Sequence, residues 1–189
     1  MRIIAGTARG RSILSPAGKK TRPTLDRVRE NLFNILQMRV RNSRVLDLFA
    51  GTGALSFEAL SRGADHAVLV DIDRNAFQVE RRNAEILGFT HRTEILMCDW
   101  RKAVRYLKSK GSKFDLIFLD PPYAMTDMSE VFMEIRELLN TGGMVVLEHE
   151  SGVAIDSGGL LHKTDERKWG FCSVSFYRSH EGEGTDGGD

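Results

Sequence analysis

From residue 44 onward, the apolar and polar positions of the chain alternate between two patterns. Short, continuously apolar runs are separated by longer segments in which apolar residues recur at helical spacing. The predicted strands are 44–49, 66–71, 93–99, 114–120 and 144–150. Of the predicted helices between them, the first ends near residue 62 and the others span 74–87, 100–110 and 127–140. Apolar strands joined by helices indicate a parallel sheet covered on both faces, and right-handed crossovers make such a sheet doubly wound.

Both ends of the chain depart from this alternation. Residues 1–18 carry short apolar stretches around glycines, which predicts a small hairpin or loop arm. Thr24 is placed as the N-cap of an amphipathic helix over residues 25–39. Beyond the fifth strand the helical pattern stops, and residues 160–170 and 171–179 predict an antiparallel pair of strands at one sheet edge. The predicted fold class is α/β: a doubly wound, mostly parallel seven-stranded sheet with a small N-terminal hairpin and helix extension.

Length and composition limit the class of protein. With 189 residues, of which 41% are apolar, the chain can bury a sizeable core in one domain, and its composition excludes collagen-like, coiled-coil and wholly disordered proteins. No apolar run approaches the roughly 18 residues of a membrane-spanning helix, and no secretory signal is visible. The 2 cysteines lie far apart and indicate neither a disulfide scaffold nor a zinc site, so we expect a cytoplasmic protein with no membrane partner.

The net charge of +1 hides a strong asymmetry along the chain. Residues 1–44 hold 11 Lys and Arg against 2 acids, and the rest of the chain holds 16 basic and 24 acidic side chains. A basic block on an acidic protein is expected for a polyanion partner, although a solvated face that binds nothing gives the same pattern. We divide the chain into a basic extension (1–43), an α/β domain (44–178) and an acidic tail (179–189) that is expected to be disordered.

A glycine loop follows the first predicted strand, at the edge where open α/β sheets bind ligands. It runs from Asp47 to Gly53, and Gly51 and Gly53 allow a tight turn and a close approach of the backbone to a ligand. A nicotinamide-binding loop would carry glycine or alanine where Ser56 stands. This difference disfavours a dinucleotide site without excluding it.

Two further carboxylates close the second and third predicted strands. Asp71 is placed to accept two hydrogen bonds from a ribose diol, and Asp99 is placed to accept one from an adenine amine, with Trp100 beside it. An aspartate at a strand end can instead be only the N-cap of the next helix. Asp73 is suited to that capping role, which would leave Asp71 for a ligand.

The most specific signal is the tetrapeptide Asp120-Pro121-Pro122-Tyr123, directly after the apolar run FDLIFL. Two consecutive prolines fix φ and remove two backbone donors, so an acid, the Pro121 carbonyl and an aromatic ring form a stiff row at a strand end. A strand that ends in a proline turn, with the tyrosine in the core, is the competing interpretation. The glycine loop upstream makes that interpretation weaker.

In this order, the Asp47–Gly53 loop, Asp71, Asp99 and the Asp120–Tyr123 tetrapeptide resemble class I S-adenosylmethionine-dependent methyltransferases of the amino-methylating kind, which are Rossmann-like. Four longer segments are similar to the RsmD family of bacterial 16S rRNA guanine-N2 methyltransferases. These segments are IIAGTARGRSI (3–13), RPTLDRVRENLFNIL (22–36), DLFAGTGALSFEALSRGA (47–64) and FLDPPY (118–123). The resemblance covers about residues 1–178.

This resemblance implies S-adenosylmethionine as cofactor, 16S rRNA as substrate and no metal ion. Asp120 and the Pro121 carbonyl would accept the two N–H groups of the target amine, and Tyr123 would stack on the extruded base. The catalytic candidates are Asp120, Pro121, Pro122 and Tyr123. The cofactor-binding candidates are Asp47, Phe49, Ala50, Gly51, Thr52, Gly53, Asp71, Ile72, Asp99 and Trp100. The candidates for binding RNA are Arg9, Arg11, Lys19, Lys20, Arg22 and Arg27.

Other functions use some of the same features. An adenine-N6 methyltransferase acting on DNA or RNA could use the tetrapeptide, but the arm and the core leave no chain for a separate recognition domain. A small enzyme of this kind would instead draw its specificity from a folded substrate, such as rRNA in a partly assembled 30S subunit. A protein-glutamine methyltransferase fits the basic arm poorly, and a non-catalytic RNA-binding module fits two intact motifs poorly.

Overall fold

The computed structural model of the protein describes residues 1–15, 23–122, 124–125 and 127–179. Across these residues one seven-stranded sheet has the order β3-β2-β1-β4-β5-β7-β6. The strands are β1 (Arg44–Asp47), β2 (His66–Asp71), β3 (Thr93–Met97), β4 (Phe114–Leu119), β5 (Leu139–Glu150), β6 (His162–Trp169) and β7 (Cys172–Arg178). The helices are α1 (Pro23–Val40), α2 (Ala54–Ser61), α3 (Arg74–Leu87), α4 (Trp100–Ser109) and α5 (Ser129–Ile135), with short 3-10 turns at Thr90–Arg92 and Arg136–Leu138.

The sheet confirms the predicted α/β fold class. Strands β1 to β5 are parallel, and β7 is antiparallel to both β5 and β6, so the sheet is mostly parallel and ends in the predicted antiparallel pair. The chain reverses its direction across the sheet between β1 and β4. The carboxyl ends of the parallel strands meet at one edge, and such a reversal point is where open α/β sheets bind ligands.

Several predicted boundaries differ from the structure, and two of them have a clear physical reason. The helix predicted over residues 127–140 ends at Ile135, because Leu139 already pairs with Phe114 of β4 and therefore begins β5. Thr24 is not the N-cap of the first helix, which starts one residue earlier at Pro23. Proline suits a first helical position because its missing N–H would have no intrahelical acceptor there.

Alternate residues of each strand point to opposite faces of the sheet, and helices cover both faces. On one face, Phe118 of β4 and Val146 of β5 pack with residues of α1 and α2. On the other face, Leu119 and Leu147 pack with α4 and α5. Among the described residues, no helix is long and apolar enough to cross a membrane.

Residues 1–15, called the N-terminal arm below, form a hairpin that packs on the sheet domain. The Ile3 amide donates to the Arg11 carbonyl over 2.9 Å, and Arg2 bridges to Ser12. Ile3, Ala8 and Ile13 are buried in the same cluster as α1 and the sheet. The hairpin prediction is thus confirmed, and the extension shares one hydrophobic core with the α/β domain. At the other end of the chain, residues 180–189 of the predicted acidic tail lie outside the described residues.

The arm is anchored through polar groups of α2. Glu58, fully buried, accepts the Ile4 amide over 2.8 Å and the Ala5 amide over 3.0 Å. Gly6 has a φ of +84°, and a Cβ there would lie 1.8 Å from the Ser61 carbonyl oxygen, so only glycine fits. The Ser61 hydroxyl accepts the Ala8 amide over 3.0 Å. These contacts hold the arm beside the helix that follows the glycine loop.

Candidate active site

The ends of β1 to β4, together with β5, surround one cavity of about 600 Å³. The predicted residues that line it are Asp47, Phe49, Ala50, Gly51, Thr52, Asp71, Ile72, Asp99, Trp100, Asp120, Pro121 and Pro122. A cavity of this size suits a cofactor or drug-sized ligand. The structure therefore brings together predicted residues from the ends of four successive strands, β1 to β4.

The glycine loop folds over the end of β1 as its two glycines predict. Gly51 has a φ of +58°, and a Cβ there would meet no atom within 4 Å, so the backbone lies open beside the cavity. Gly53 does not line the cavity and is required for packing instead. With a φ of +74°, a Cβ at Gly53 would lie 2.4 Å from the Phe57 ring and 2.7 Å from Leu69.

Asp71 connects the loop to the second strand. One carboxylate oxygen accepts the Gly51 amide over 2.8 Å, and the other accepts the Asp73 amide over 2.8 Å. Asp73 caps α3 by accepting the Asn75 amide over 2.7 Å, which confirms the predicted capping role. Asp71 is left to hold the loop and to face the cavity, and its contact with a ribose stays a prediction.

Asp99 serves the local structure as well as the cavity. Its side chain caps α4 by accepting the Arg101 amide over 2.9 Å, so the capping alternative considered for this residue is realised. The same residue lines the cavity beside Trp100. A carboxylate offers about four acceptor positions, so a cap leaves room for a ligand amine.

Asp47 is the most deeply buried acid of the site. It is 1% exposed, and its Oδ2 atom accepts the Ser56 hydroxyl over 3.0 Å. Burial raises the pKa of Asp47 to about 7, the Ser56 hydrogen bond opposes the rise, and the negative charge of Asp71 adds to it. Its Oδ1 atom has no hydrogen-bond partner among the described residues. A buried acceptor without a donor, at the wall of a cavity, favours a ligand that brings a donor or a positive charge.

The predicted catalytic corner leaves the sheet at the end of β4. Asp120 is exposed, Pro121 is buried and Pro122 is exposed, and all three line the cavity. The Pro122 carbonyl accepts the Met125 amide over 2.8 Å, which closes the turn after the prolines. Tyr123, the fourth predicted catalytic residue, lies outside the described residues.

Two charged residues of the cavity were missed by the sequence analysis. Glu148 lies on β5 two residues before the strand ends, so the pattern of acids at strand ends did not point to it. Arg29 reaches the cavity from α1, where it is 4% exposed, lies 3.1 Å from Asp26 and donates to the Arg2 carbonyl over 2.6 Å. No sequence signal separated Arg29 from its exposed neighbours.

The predicted RNA-binding residues lie outside the cavity wall where the structure describes them. Arg9 and Arg27 are exposed. Arg11 is also exposed, but its Nη1 atom donates to the Ile86 and Leu87 carbonyls over 3.2 and 3.1 Å, at the end of α3. Lys19, Lys20 and Arg22 lie outside the described residues. Within the described ranges, no group of three or more His, Cys, Asp or Glu side chains could hold a metal ion.

Known proteins are similar to this chain in sequence and in fold. Residues 1–178 match the sequence family described as Conserved hypothetical protein 95. The ribosomal RNA small subunit methyltransferase D of Haemophilus influenzae is 37% identical over 184 residues, which cover 95% of this chain and 94% of the relative. The Escherichia coli K12 protein of the same name is 40% identical over 123 residues, which cover 65% of this chain and 60% of the relative. A solved structure of a hypothetical protein from Thermus thermophilus has 31% identity and a TM-score of 0.80, covering 94% of this chain and 99% of that chain.

Proposed function

The chain belongs to the family described as Conserved hypothetical protein 95, and we propose that it methylates the exocyclic N2 amine of a guanine in 16S rRNA. The protein is an S-adenosylmethionine-dependent rRNA methyltransferase, in keeping with the names of its relatives. The observation that carries the proposal is the single cavity shared by the glycine loop and the Asp-Pro-Pro corner. It supports a reaction in which a cofactor and a base meet at the edge of the sheet.

The residues of the cavity fit the cofactor. The open backbone at Gly51 gives close access beside the loop, and the Asp47 Oδ1 atom is a buried acceptor that the ammonium group of the cofactor would satisfy. Asp71 would accept from the ribose hydroxyls, and Asp99 would accept from the adenine amine beside Trp100. S-adenosylmethionine, when bound, supplies a methyl group activated by the positive charge on its sulfur.

The Asp-Pro-Pro corner would orient the nucleophile. An exocyclic amine is a poor nucleophile because its lone pair is delocalised into the ring. Hydrogen bonds from its two N–H groups to the Asp120 carboxylate and the Pro121 carbonyl draw the nitrogen toward tetrahedral geometry and stabilise the positive charge that develops on it. The methylated nitrogen then releases one proton, which Asp120 can receive. The two prolines hold these acceptors in place before the base arrives.

The RNA must present its guanine out of the helical stack, because an amine inside a helix cannot reach the strand ends. The exposed Arg9 and Arg27, with Lys19, Lys20 and Arg22, are the residues we assign to phosphate contacts. We place the substrate in a partly assembled 30S subunit, whose folded rRNA would supply the specificity, and we therefore expect the protein in the cytoplasm.

The test uses the purified protein, cofactor with a labelled methyl group, and either naked 16S rRNA or partly assembled 30S particles. Digestion and mass analysis should identify N2-methylguanosine, with faster labelling of the particles. N6-methyladenosine as the product would support the adenine-N6 alternative and overturn the guanine assignment. A chain without saturable cofactor binding would be an RNA-binding module instead.

A further inference from the structure

Glu148 stands beside Asp120 at the strand-end edge. In the register of β4 and β5, Leu119 is paired with Leu147, so Asp120 and Glu148 follow at neighbouring positions of two adjacent strands. Leu119 and Leu147 both pack on the α4 and α5 face, and strand alternation directs the next residues to the opposite side. Both acids line the cavity there. The amine pocket of the proposed function therefore contains two carboxyl groups.

The surroundings keep Glu148 polar and within reach of a ligand. It is half-buried on β5, and the Cys172 thiol of the neighbouring strand β7 weakens the effect of burial on its pKa. Burial raises the pKa of the Cys172 thiol, so the thiol stays protonated, and its Sγ atom donates to the Ser173 carbonyl. Burial raises the pKa of the Glu148 carboxyl group. The other charged groups that line this cavity are Asp47, Asp71, Asp73, Asp99 and Asp120 from the strand ends and Arg29 from α1.

The two purines differ at the atom beside the reacting amine. In guanine the N2 amine is next to N1–H, which is a hydrogen-bond donor. In adenine the N6 amine is next to N1 without a hydrogen, which is an acceptor. An acid beside the amine pocket therefore meets a donor in one base and a lone pair in the other, and a carboxylate can only accept.

We propose that Glu148 determines the specificity for guanine by accepting the N1–H bond while Asp120 accepts an N2–H bond. The inference rests on the proposed function and extends it from the amine to the whole edge of the base. Two adjacent acceptors match two adjacent donors, as paired hydrogen bonds do in other base recognition. A purine without N1–H offers no donor to the half-buried Glu148 carboxylate, and sites built on such bonds strongly reject analogues that lack the donor.

The experiment replaces the target guanine by 2-aminopurine, which keeps the C2 amine and lacks N1–H. Particles are reconstituted from ligated 16S rRNA carrying either base, and initial rates are measured for the wild type, Glu148→Gln and Glu150→Gln. Glu150 is an exposed acid two residues further along the same strand, so its variant is the matched control. For each protein, the rate on guanine is divided by the rate on 2-aminopurine. Comparing this ratio between the proteins cancels the intrinsic difference in reactivity between the two amines.

We expect the ratio to fall by about a hundredfold in Glu148→Gln, because a side-chain amide can accept from N1–H or donate to a bare N1. The ratio in Glu150→Gln should equal that of the wild type. Equal rates of the wild-type protein on both bases, or an unchanged ratio in Glu148→Gln, would overturn the role of Glu148 while leaving the methyltransferase function intact. No methylation of guanine by the wild type would overturn the proposed function itself. Cofactor titration and circular dichroism check that the variants are folded.

Discussion

The strand-end cavity and the N-terminal arm carry opposite charges and owe their structure to different kinds of contact. At the cavity, each predicted acid stands at the end of its own strand or just beyond it, so its place follows from the strand next to it in sequence. In the arm, the decisive partners are distant: Ile4 and Ala5 bond to Glu58, and Leu14 bonds to Asn83. Local sequence motifs thus predict the chemistry of the strand-end cavity. The contacts that hold the N-terminal arm in place can be seen only in the folded structure.

The comparison changes the meaning of the basic segment. A charge count assigns every Arg of residues 1–44 to a polyanion, yet Arg29 is buried between Asp26 and Glu58, and Arg11 bonds to the carbonyls that end α3. Arg9 and Arg27 are exposed. Part of the basic segment therefore serves folding, and part of it is available for RNA.

The largest effect is expected at the strand-end region. Asp120→Ala should lower the methylation rate by about a thousandfold and leave cofactor affinity within a few-fold, because it removes an acceptor for charge that develops only during the transfer. Rates come from labelled methyl incorporation, and affinity comes from calorimetry. Asp127→Asn is the control and should retain full activity, because Asp127 is a nearby exposed acid whose carboxylate accepts the Ser129 amide. An Asp120→Ala protein with most of its activity would remove the orienting role.

The second prediction tests whether the arm is anchored. Glu58→Gln should lower the free energy of unfolding by about 3–5 kcal/mol, because it leaves the buried Arg29 without one of its partners. Glu58 also lies 2.7 Å from Arg62. Urea unfolding measures the change, and Glu30→Gln, an exposed acid on α1, should stay within about 0.5 kcal/mol of the wild type. Equal stability of the two variants would mean that the Glu58 contacts with the arm and with Arg29 do not stabilise the fold.

The sequence predicted the mostly parallel sheet, the glycine loop and the Asp-Pro-Pro corner because each depends on local periodicity or on the stiffness of proline. It did not predict that Arg29 reaches the cavity, because its burial depends on Glu58, which lies in another helix. It also placed the end of the fifth helix too late. Leu139 and Asn140 are compatible with a helix, and their pairing with Phe114 and Asp115 of β4 makes them part of a strand instead.

The third prediction concerns α3, which joins the two regions. Asn83 of this helix donates to the Leu14 carbonyl of the arm and to the Thr52 carbonyl of the glycine loop. One turn earlier, Glu80 is fully buried, and neither carboxyl oxygen has a hydrogen-bond partner among the described residues. Burial, with the charges of Asp71 and Asp47, raises the pKa of Glu80 to about 8.

A carboxyl whose pKa is raised by folding stabilises the protein only while it is protonated. The contribution is complete below the pKa of the unfolded chain, about 4.5, and is lost as the pH rises to about 8. Relative to Glu80→Gln, which does not titrate, the wild type should therefore lose about 3 kcal/mol of unfolding free energy between pH 5 and pH 8. Urea titrations at both pH values measure this. A constant difference between the two proteins would show that Glu80 is hydrated and ionised in the folded state.

The smallest expected effect is on the salt dependence of RNA binding, and it distinguishes an exposed arginine of the arm from a charge elsewhere on the surface. Arg9→Ala should reduce the slope of log binding constant against log salt by about 1 in magnitude. The variant makes one phosphate contact fewer and therefore releases fewer condensed counterions when it binds. Arg105→Ala is the matched control: it removes the same charge from an exposed position on α4, across the sheet from the arm. Filter binding of 16S rRNA fragments over a salt series gives both slopes. If the Arg9 variant keeps the wild-type slope, the arm contributes a solvated basic surface, and its place in the molecule is explained by its bonds to α2 and α3 alone.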